Sequence, residues 1–331
     1  MEVGIRKCGV ISRSIRSLSL SNQVVPRVSS YKYLGFPHGP SGIKWEEHVS
    51  ECTSKALSLL NMCRARGDHW PTWVRLVIFR AFIRSRTEYG APLLYAWLGA
   101  SPERQRCWLG LENLYQESLK WICPMATHWK IAGCVVGVLN PRERFEGLAA
   151  NFTQHLRKLA PDHLARPTLA DWLSRMPWSP HVLLPRLYRV PLVSTVERRS
   201  VLNETSWVTE LRHWYGERLA EQSAVGRVLD RSCRTSPCGP DRLIYNRNPE
   251  ALKLALAWRC NSFAWSRNCP AGHRFNRACV NRCLVPRFPS IPPTPHVPGL
   301  PDHHCCLDTA LNIQEYPLFH TLALDVLSCL H

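Results

Sequence analysis

The chain has 331 residues, and its 42 Lys and Arg outnumber its 25 Asp and Glu, which gives a formal net charge of +17 at pH 7. With 45% hydrophobic and 20% charged residues, the composition is typical of a folded protein and excludes a disordered chain. No apolar run is long enough to span a bilayer and no signal peptide is visible, so we expect an intracellular protein, nuclear or cytoplasmic, with no membrane partner.

The elements predicted first along the chain are β-strands. Residues 24–28 and 30–36 are rich in β-branched and aromatic types, and glycines and prolines between 35 and 40 end them. Apolar residues spaced by three and four then predict an amphipathic helix over Trp45–Arg66. Pro71 suits the first turn of a second helix over 72–85, which is apolar on all sides and therefore predicted to be central to the core.

Helical patterns dominate the remaining sequence. They predict helices over 103–122, 141–159, 206–219 and 248–258, and one terminal helix over 308–330 that Pro317 interrupts. Six prolines within 161–191 predict an irregular connection, and seven prolines within 286–301 predict a stiff extended linker. The predicted fold class is therefore mainly α with a small N-terminal β-hairpin.

Arginine and cysteine usage narrows the class of protein further. Of the cationic residues 34 are Arg and eight are Lys, and the planar guanidinium binds phosphate oxygens in pairs, which suits RNA and DNA. An alternative is that codon usage in a GC-rich genome sets this ratio. The 15 cysteines are odd in number and widely spread, which favours free thiols or metal ligands over a disulfide framework.

Three short segments occur in a fixed order near the N-terminus. Residues 6–10 read RKCGV, residues 31–36 read YKYLGF, and residues 84–90 read RSRTEYG, with Trp45 and His48 between the last two. This ordered set resembles the end of the reverse-transcriptase domain of non-LTR (LINE-type) retrotransposons, over roughly residues 5–98. In that family a Lys-Cys segment ends the palm, a Tyr-Leu-Gly hairpin forms the primer grip, and a helical thumb carries an Arg-Ser-x-x-Glu-Tyr-Gly-like string.

The resemblance implies that these segments contact nucleic acid. The implied binding residues are Lys7, Tyr33, Leu34, Gly35, Arg75, Arg80, Arg84 and Arg86. Physical reasoning agrees, since a hairpin with a close-approaching glycine can press on a primer, and helix arginines can hold a duplex by its phosphates. The alternatives are an ordinary buried hairpin, and a core helix whose arginines extend to water. Glu88 is four residues from Arg84 and is predicted to form a local ion pair.

Polymerase chemistry needs carboxylates that hold two metal ions. The eight Asp include no adjacent pair, whereas the family carries an Asp-Asp turn in its palm. The family pattern places that turn upstream of Lys7, so we expect the chain to begin inside a longer reading frame. We therefore expect no catalytic Mg²⁺ and no nucleotide incorporation, and we expect the missing palm and fingers to be a partner.

A cysteine-rich segment near the C-terminus predicts a zinc site. Cys269, His273, Cys279 and Cys283 supply four ligand types that suit one tetrahedral Zn²⁺, with arginines around them. Many LINE-type proteins carry a similar knuckle with two Cys, one His and a last Cys. This sequence departs from that order, because residues 271 and 272 are Ala and Gly and Cys279 stands where His is typical. The alternative is a decayed knuckle with idle thiols.

These observations divide the chain into five predicted regions. They are a palm remnant with a primer-grip-like hairpin (1–42), a helical thumb-like region (43–135), a Pro-interrupted helical connector (136–245), a Cys/His knuckle-like region (246–285), and a Pro-rich linker with a terminal helix (286–331). The functional hypothesis is a fragment of a non-LTR reverse transcriptase that retains template–primer or other RNA and DNA binding. The alternatives are an independent basic, zinc-dependent nucleic-acid-binding protein, and a helical structural protein with basic surfaces.

Overall fold

A computed structural model describes most of the chain. The described residues are 9–11, 18–20, 22–99, 104–126, 129–159, 162–165, 173–174, 204–224, 240–260, 262–264, 266–293, 305–312 and 314–330. These residues are mostly helical, with a small β part near the N-terminus, which confirms the predicted fold class at this level. Lys7 and most of the predicted irregular connection over 161–191 lie outside the described residues.

The β part consists of two small antiparallel sheets. Strands β1 (Ser19–Leu20) and β2 (Gln23–Val24) form one sheet, and β3 (Tyr31–Tyr33), β4 (Phe36–Gly39) and β5 (Gly42–Ile43) form the other. The predicted strand over 24–28 is wrong beyond residue 24, since only a single bridge follows.

The predicted strand over 30–36 is divided by a two-residue turn. Leu34 has φ 47° and Gly35 has φ 82°, and Tyr33 pairs with Phe36 across the turn. Positive φ at both central residues is the type I′ geometry that joins two-residue hairpins, because its twist matches that of the strands. The hairpin therefore forms as predicted, but its turn lies inside the segment that β-propensity assigned to one strand.

The first long helix, α1 (Trp45–Arg66), has the predicted bounds. Val49, Ala56, Leu60 and Cys63 are buried on one face, at the three- and four-residue spacings that define a helical stripe. The predicted helix over 72–85 is helical throughout but irregular. It consists of α2 (Thr72–Ile78), a π-helix (Phe79–Arg84) and α3 (Ser85–Glu88), and Pro71 precedes it as the N-cap.

Four helices follow before the long undescribed stretch. They are α4 (Ala91–Gly99), α5 (Gln105–Ile122), α6 (Trp129–Val136) and α7 (Pro141–Arg157). The sequence patterns missed α4 and α6, which are short and carry no charged face that would reveal a helical period. Helix α7 begins where predicted because the side chain of Asn140 accepts the backbone N–H of Glu143 and Pro141 occupies the first turn.

The C-terminal elements are α8 (Glu204–Ala224), a 3₁₀ turn (Arg242–Tyr245), α9 (Pro249–Arg259), a π-helix (Val280–Leu284), α10 (Cys306–Asn312) and α11 (Tyr316–Ser328). The single terminal helix is a wrong prediction, because α10 and α11 are separate. Pro317 lies in the first turn of α11, where a missing backbone N–H costs no hydrogen bond. The extended linker is also wrong over 286–293, which forms turns and buries Ile291. Residues 294–301 lie outside the described residues.

One hydrophobic core joins the predicted thumb-like region to the C-terminal elements. Leu60 and Phe79 belong to the same buried cluster as Trp258 and Phe319, and each of these four side chains is at most 1% exposed. Smaller clusters join α4 to α7 and α7 to α8. None of the twelve described cysteines forms a disulfide bond. Within the described segments, no helix combines the length and the hydropathy needed to cross a membrane.

Candidate metal centre and candidate nucleic-acid-binding residues

The structure brings the four predicted metal ligands together. The ligand atoms of Cys269, His273, Cys279 and Cys283 all lie within 4.8 Å of one another. Zinc–sulfur bonds of about 2.3 Å in a tetrahedron place neighbouring ligands about 3.8 Å apart. The contact from His273 Nε2 to the sulfur of Cys283, at 3.6 Å, is close to that edge, and the other ring nitrogen, Nδ1, lies 3.7 Å from the sulfur of Cys279. The group can therefore hold a metal ion after a small contraction.

Local backbone structure explains how a short segment achieves this arrangement. The N–H of Cys269 donates to the carbonyl of His273 at 2.7 Å, and Gly272 closes the turn with φ +85°. Cys279 and Cys283 lie on the following helical turn, where a spacing of four places both side chains on one face. A tight turn and one helical turn therefore supply two ligands each.

The histidine ring is oriented as in known zinc sites. Its Nδ1 lies 3.0 Å from the carbonyl oxygen of Arg274, and its Nε2 lies 3.6 Å from the sulfur of Cys283. A ligating histidine usually donates its other N–H to a carbonyl or carboxylate, which fixes the tautomer. With Nδ1–H donating to Arg274, Nε2 is the nitrogen that would bind the metal.

Two thiols of the cluster, those of Cys279 and Cys283, resist ionisation without a cation. Burial, together with the neighbouring thiols of Cys269 and Cys283, raises the pKa of Cys279 to about 11, because adjacent thiolates repel. Burial likewise raises the pKa of Cys283. Metal binding would release these protons, which makes the affinity for metal depend on pH.

The segment that holds the cluster has no acidic residue. Between Glu250 and Asp302 the sequence contains Lys253 and six arginines but no Asp or Glu. Four of these arginines are exposed around the cluster: Arg267, Arg274, Arg282 and Arg287. Among the described residues, none of the four is ion-paired. Their charge is therefore available to an anionic partner.

Arg277 points into the protein and ties the cluster to the C-terminal helices. Its guanidinium lies 3.4 Å from Asp308 in α10 and 4.7 Å from the ring centre of Trp258 in α9. Asp308 is 1% exposed and also accepts the indole N–H of Trp258 at 2.8 Å. Because Arg277 lies between His273 and Cys279, this buried network connects the four-ligand segment to α9 and α10.

Two of the three N-terminal motifs contact each other. Tyr89 stacks on Phe36 with ring centres 5.2 Å apart, and its hydroxyl donates to the Leu34 carbonyl at 2.5 Å. Gly90 has φ +70° and lies directly against the Phe36 ring, where a β-carbon would collide. Gly35 similarly approaches Tyr89. The YKYLGF hairpin and the RSRTEYG string therefore form one packed unit, with Tyr33 and Leu34 exposed at its tip.

Most arginines of the predicted thumb helix have partners inside the protein. Arg75 donates to the carbonyls of Asp68, Trp70 and Trp121, and Arg80 donates to the carbonyl of Val136 at 3.1 Å.

Arg84 has partners inside the protein, whereas Arg86 is exposed to solvent. Arg84 forms the predicted ion pair with Glu88 at 3.2 Å, and Arg144 of α7 also binds that carboxylate at 2.8 Å. Arg86 is exposed and has no ion pair among the described residues. Of these four arginines, only Arg86 is exposed, and the other three are half-buried.

Beside the hairpin lies a cavity that sequence patterns missed. It has a volume of about 320 Å³ and is lined by residues of three elements, including Lys32 of β3, Glu51 and Lys55 of α1, and Arg86 of α3. The pairing of Glu51 with Lys55 is readable from its four-residue spacing, but no local signal places Lys32 or Arg86 beside them.

Comparisons with protein-family models, with curated proteins and with solved structures found no match for this chain.

Proposed function

We propose that this chain binds RNA or DNA through its Cys/His cluster and the arginines around it, with Zn²⁺ as the structural metal, and that it does so without catalysing polymerisation. The observation that carries this proposal is a four-ligand cluster in a segment that has exposed arginines and no acidic residue. A bound zinc would fix the loop, and the arginines would contact phosphates. Free thiols agree with an intracellular location, where thiols remain reduced.

The metal is tested by measuring zinc in the purified full-length protein. We expect about one Zn²⁺ per chain, the stoichiometry of one four-ligand site. Cys283→Ser should lose it, because a hydroxyl is a poor zinc ligand. Cys107→Ser is the matched control, since Cys107 is also half-buried and lies outside the cluster. Equal zinc content in the two variants would contradict the assignment.

Nucleic-acid binding is tested by fluorescence anisotropy over a range of salt concentrations. Four phosphate contacts predict a slope of log K against log salt of about −3 for single strands and about −3.6 for duplex. Arg274→Gln should reduce the magnitude of this slope by about one. Arg142→Gln is the control, because Arg142 is equally cationic but is paired with Glu112 at 2.8 Å. A slope near zero, or equal effects of both variants, would overturn the proposal.

We further propose that the chain derives from a non-LTR reverse transcriptase and retains the template–primer grip of that family. The contact between the YKYLGF hairpin and the RSRTEYG string supports this, because the resemblance rests on both segments. A template–primer duplex should then bind more tightly than either strand alone, and primer extension should give no product. The origin from a reverse transcriptase is tested by translating the transcript upstream of Met1 in all three reading frames, since the family carries an Asp-Asp palm turn in that position. The absence of that turn from every upstream frame would contradict it.

A further inference from the structure

The cavity beside the hairpin is built by tertiary structure and not by a run of charge. Lys32, Lys55 and Arg86 lie on a strand and two different helices, and the fold brings all three to one opening. Its volume of about 320 Å³ is at the lower end of the range for ligand pockets, which fits a small group.

The ionic groups of the cavity leave it with an excess of positive charge. Glu51 lies 2.9 Å from Lys32 and 2.5 Å from Lys55, and these ammonium groups lower the pKa of Glu51 to about 2. The carboxylate is therefore ionised at neutral pH. Burial lowers the pKa of His48, so that this ring is neutral there. Three cations against one anion leave two positive charges.

The cations retain donors that can bind a ligand. An ammonium has three N–H donors and a guanidinium has five. Lys55 uses one of its donors on Glu51, and among the described residues Arg86 makes no ion pair. Glu51 thus holds two lysines in place without using all of their hydrogen-bonding capacity.

An aromatic ring completes the wall of the cavity. Tyr89 is 49% exposed, and its orientation is fixed by stacking on Phe36 and by the hydrogen bond from its hydroxyl to Leu34. A fixed, half-exposed ring next to cations offers a surface for the organic part of a charged ligand.

We propose that this cavity binds a phosphate monoester dianion, with Lys32, Lys55 and Arg86 on its oxygens and Tyr89 against the attached sugar. Two net positive charges match the two negative charges of the ligand. The terminal phosphate of a nucleic-acid strand and a free nucleoside monophosphate share this chemistry. The site is separate from the Cys/His cluster and goes beyond the proposed function, because no internal phosphodiester carries a dianion.

The test uses calorimetric titration of the full-length protein with thymidine 5′-monophosphate, thymidine and inorganic phosphate. We expect the monophosphate to bind, thymidine to give no heat, and inorganic phosphate to compete. A 5′-phosphorylated oligothymidylate should bind more tightly than its 5′-hydroxyl form if strand ends are the ligand. Equal affinity of the 5′-phosphorylated and 5′-hydroxyl strands, with the mononucleotide still bound, assigns the site to free monophosphates, and either outcome supports a monoester pocket.

Charge-removing variants identify the residues. Arg86→Gln and Lys55→Gln should each weaken monophosphate binding about tenfold, the effect of one charge-assisted hydrogen bond. Both side chains are exposed, so an unchanged melting temperature is expected and is measured alongside. Lys120→Gln is the matched control, because Lys120 is 52% exposed and Lys55 is 56% exposed, and Lys120 is likewise paired with a glutamate.

The outcomes separate this proposal from the preceding one. Equal binding of thymidine and its monophosphate, or an equal loss in Lys120→Gln and Arg86→Gln, would overturn the cavity assignment. Cys283→Ser should leave monophosphate binding unchanged while it loses zinc. The cavity proposal can therefore be refuted while the zinc proposal is supported, and the zinc proposal can be refuted while the cavity proposal is supported.

Discussion

The buried pair of Arg277 and Asp308 allows the link between the cluster and the C-terminal helices to be measured. Asp308→Asn removes the negative charge but keeps an oxygen that can accept the indole N–H of Trp258. The guanidinium of Arg277, 9% exposed, is then left buried without a counter-charge. Breaking a buried ion pair in this way costs about 3–5 kcal/mol. We expect a cost within this range, because the amide keeps an oxygen for Trp258, but its NH₂ group cannot accept the backbone N–H of Cys305 that Oδ2 accepts at 3.2 Å.

The assay is urea unfolding followed by tryptophan fluorescence, with zinc content measured on the same samples. Adding Arg277→Met to Asp308→Asn removes the orphan charge and should recover at least about 1 kcal/mol, since apolar replacements of buried pairs are often neutral. Asp325→Asn is the control on the neighbouring helix and should stay within about 0.5 kcal/mol of the parent. The reasoning would be refuted if Asp308→Asn cost less than about 1 kcal/mol, or if the double variant were no more stable than the single one.

Three further substitutions test local features of the fold. Burial raises the pKa of Glu143 from 4.5 to about 7, so the folded state binds this proton more tightly than the unfolded state. The resulting contribution to folding stability is fully present below pH 4.5 and is lost as the pH rises through 7. Glu143→Gln should flatten this loss in melting temperatures between pH 4.5 and 8, and an unchanged profile would contradict it. Leu34→Asn should stabilise the protein by about 1 kcal/mol in urea unfolding, because Asn adopts a positive φ at lower cost than Leu. Leu34 has φ 47° and is 67% exposed, so little packing is lost. Destabilisation by this substitution would contradict the assignment of backbone strain to the turn. Gly90→Ala should lower the melting temperature because of its positive φ and the Phe36 ring, whereas Gly110→Ala, with open space around it, should raise it.

Sequence predicted the features that depend on local chemistry. Helix α1 has its predicted bounds because its buried positions recur at helical spacing. The four metal ligands lie within fifteen residues, so a turn and a helical turn suffice to gather them. Helices α4 and α6 were missed because an apolar segment without a charged face has no visible period. Turn chemistry also prevailed over β-propensity at Leu34, inside the segment assigned to one strand.

Partners distant in sequence could not be predicted from patterns. The acceptors of Arg75 and Arg80 on α5 and α6 lie 46 and 56 residues away, and no spacing rule connects such groups. The same holds for Lys32, which lies 19 residues from Glu51. A helix arginine looks identical in the sequence whether it reaches a phosphate or a backbone carbonyl, and the fold decides which.

This distinction determines where the net charge of +17 can act. In the helices up to α7, several arginines have partners inside the protein, as in the pairs of Arg64 with Glu117 and of Arg144 with Glu88. The segment from 251 to 301 has no acidic residue, so the charge of its exposed arginines is offset only by groups elsewhere in the fold. Attraction of a polyanion follows the uncompensated charge and not the arginine count. We therefore expect substitutions of exposed arginines around the Cys/His cluster to weaken nucleic-acid binding more than substitutions of Arg75 or Arg80, whose main cost should be to folding.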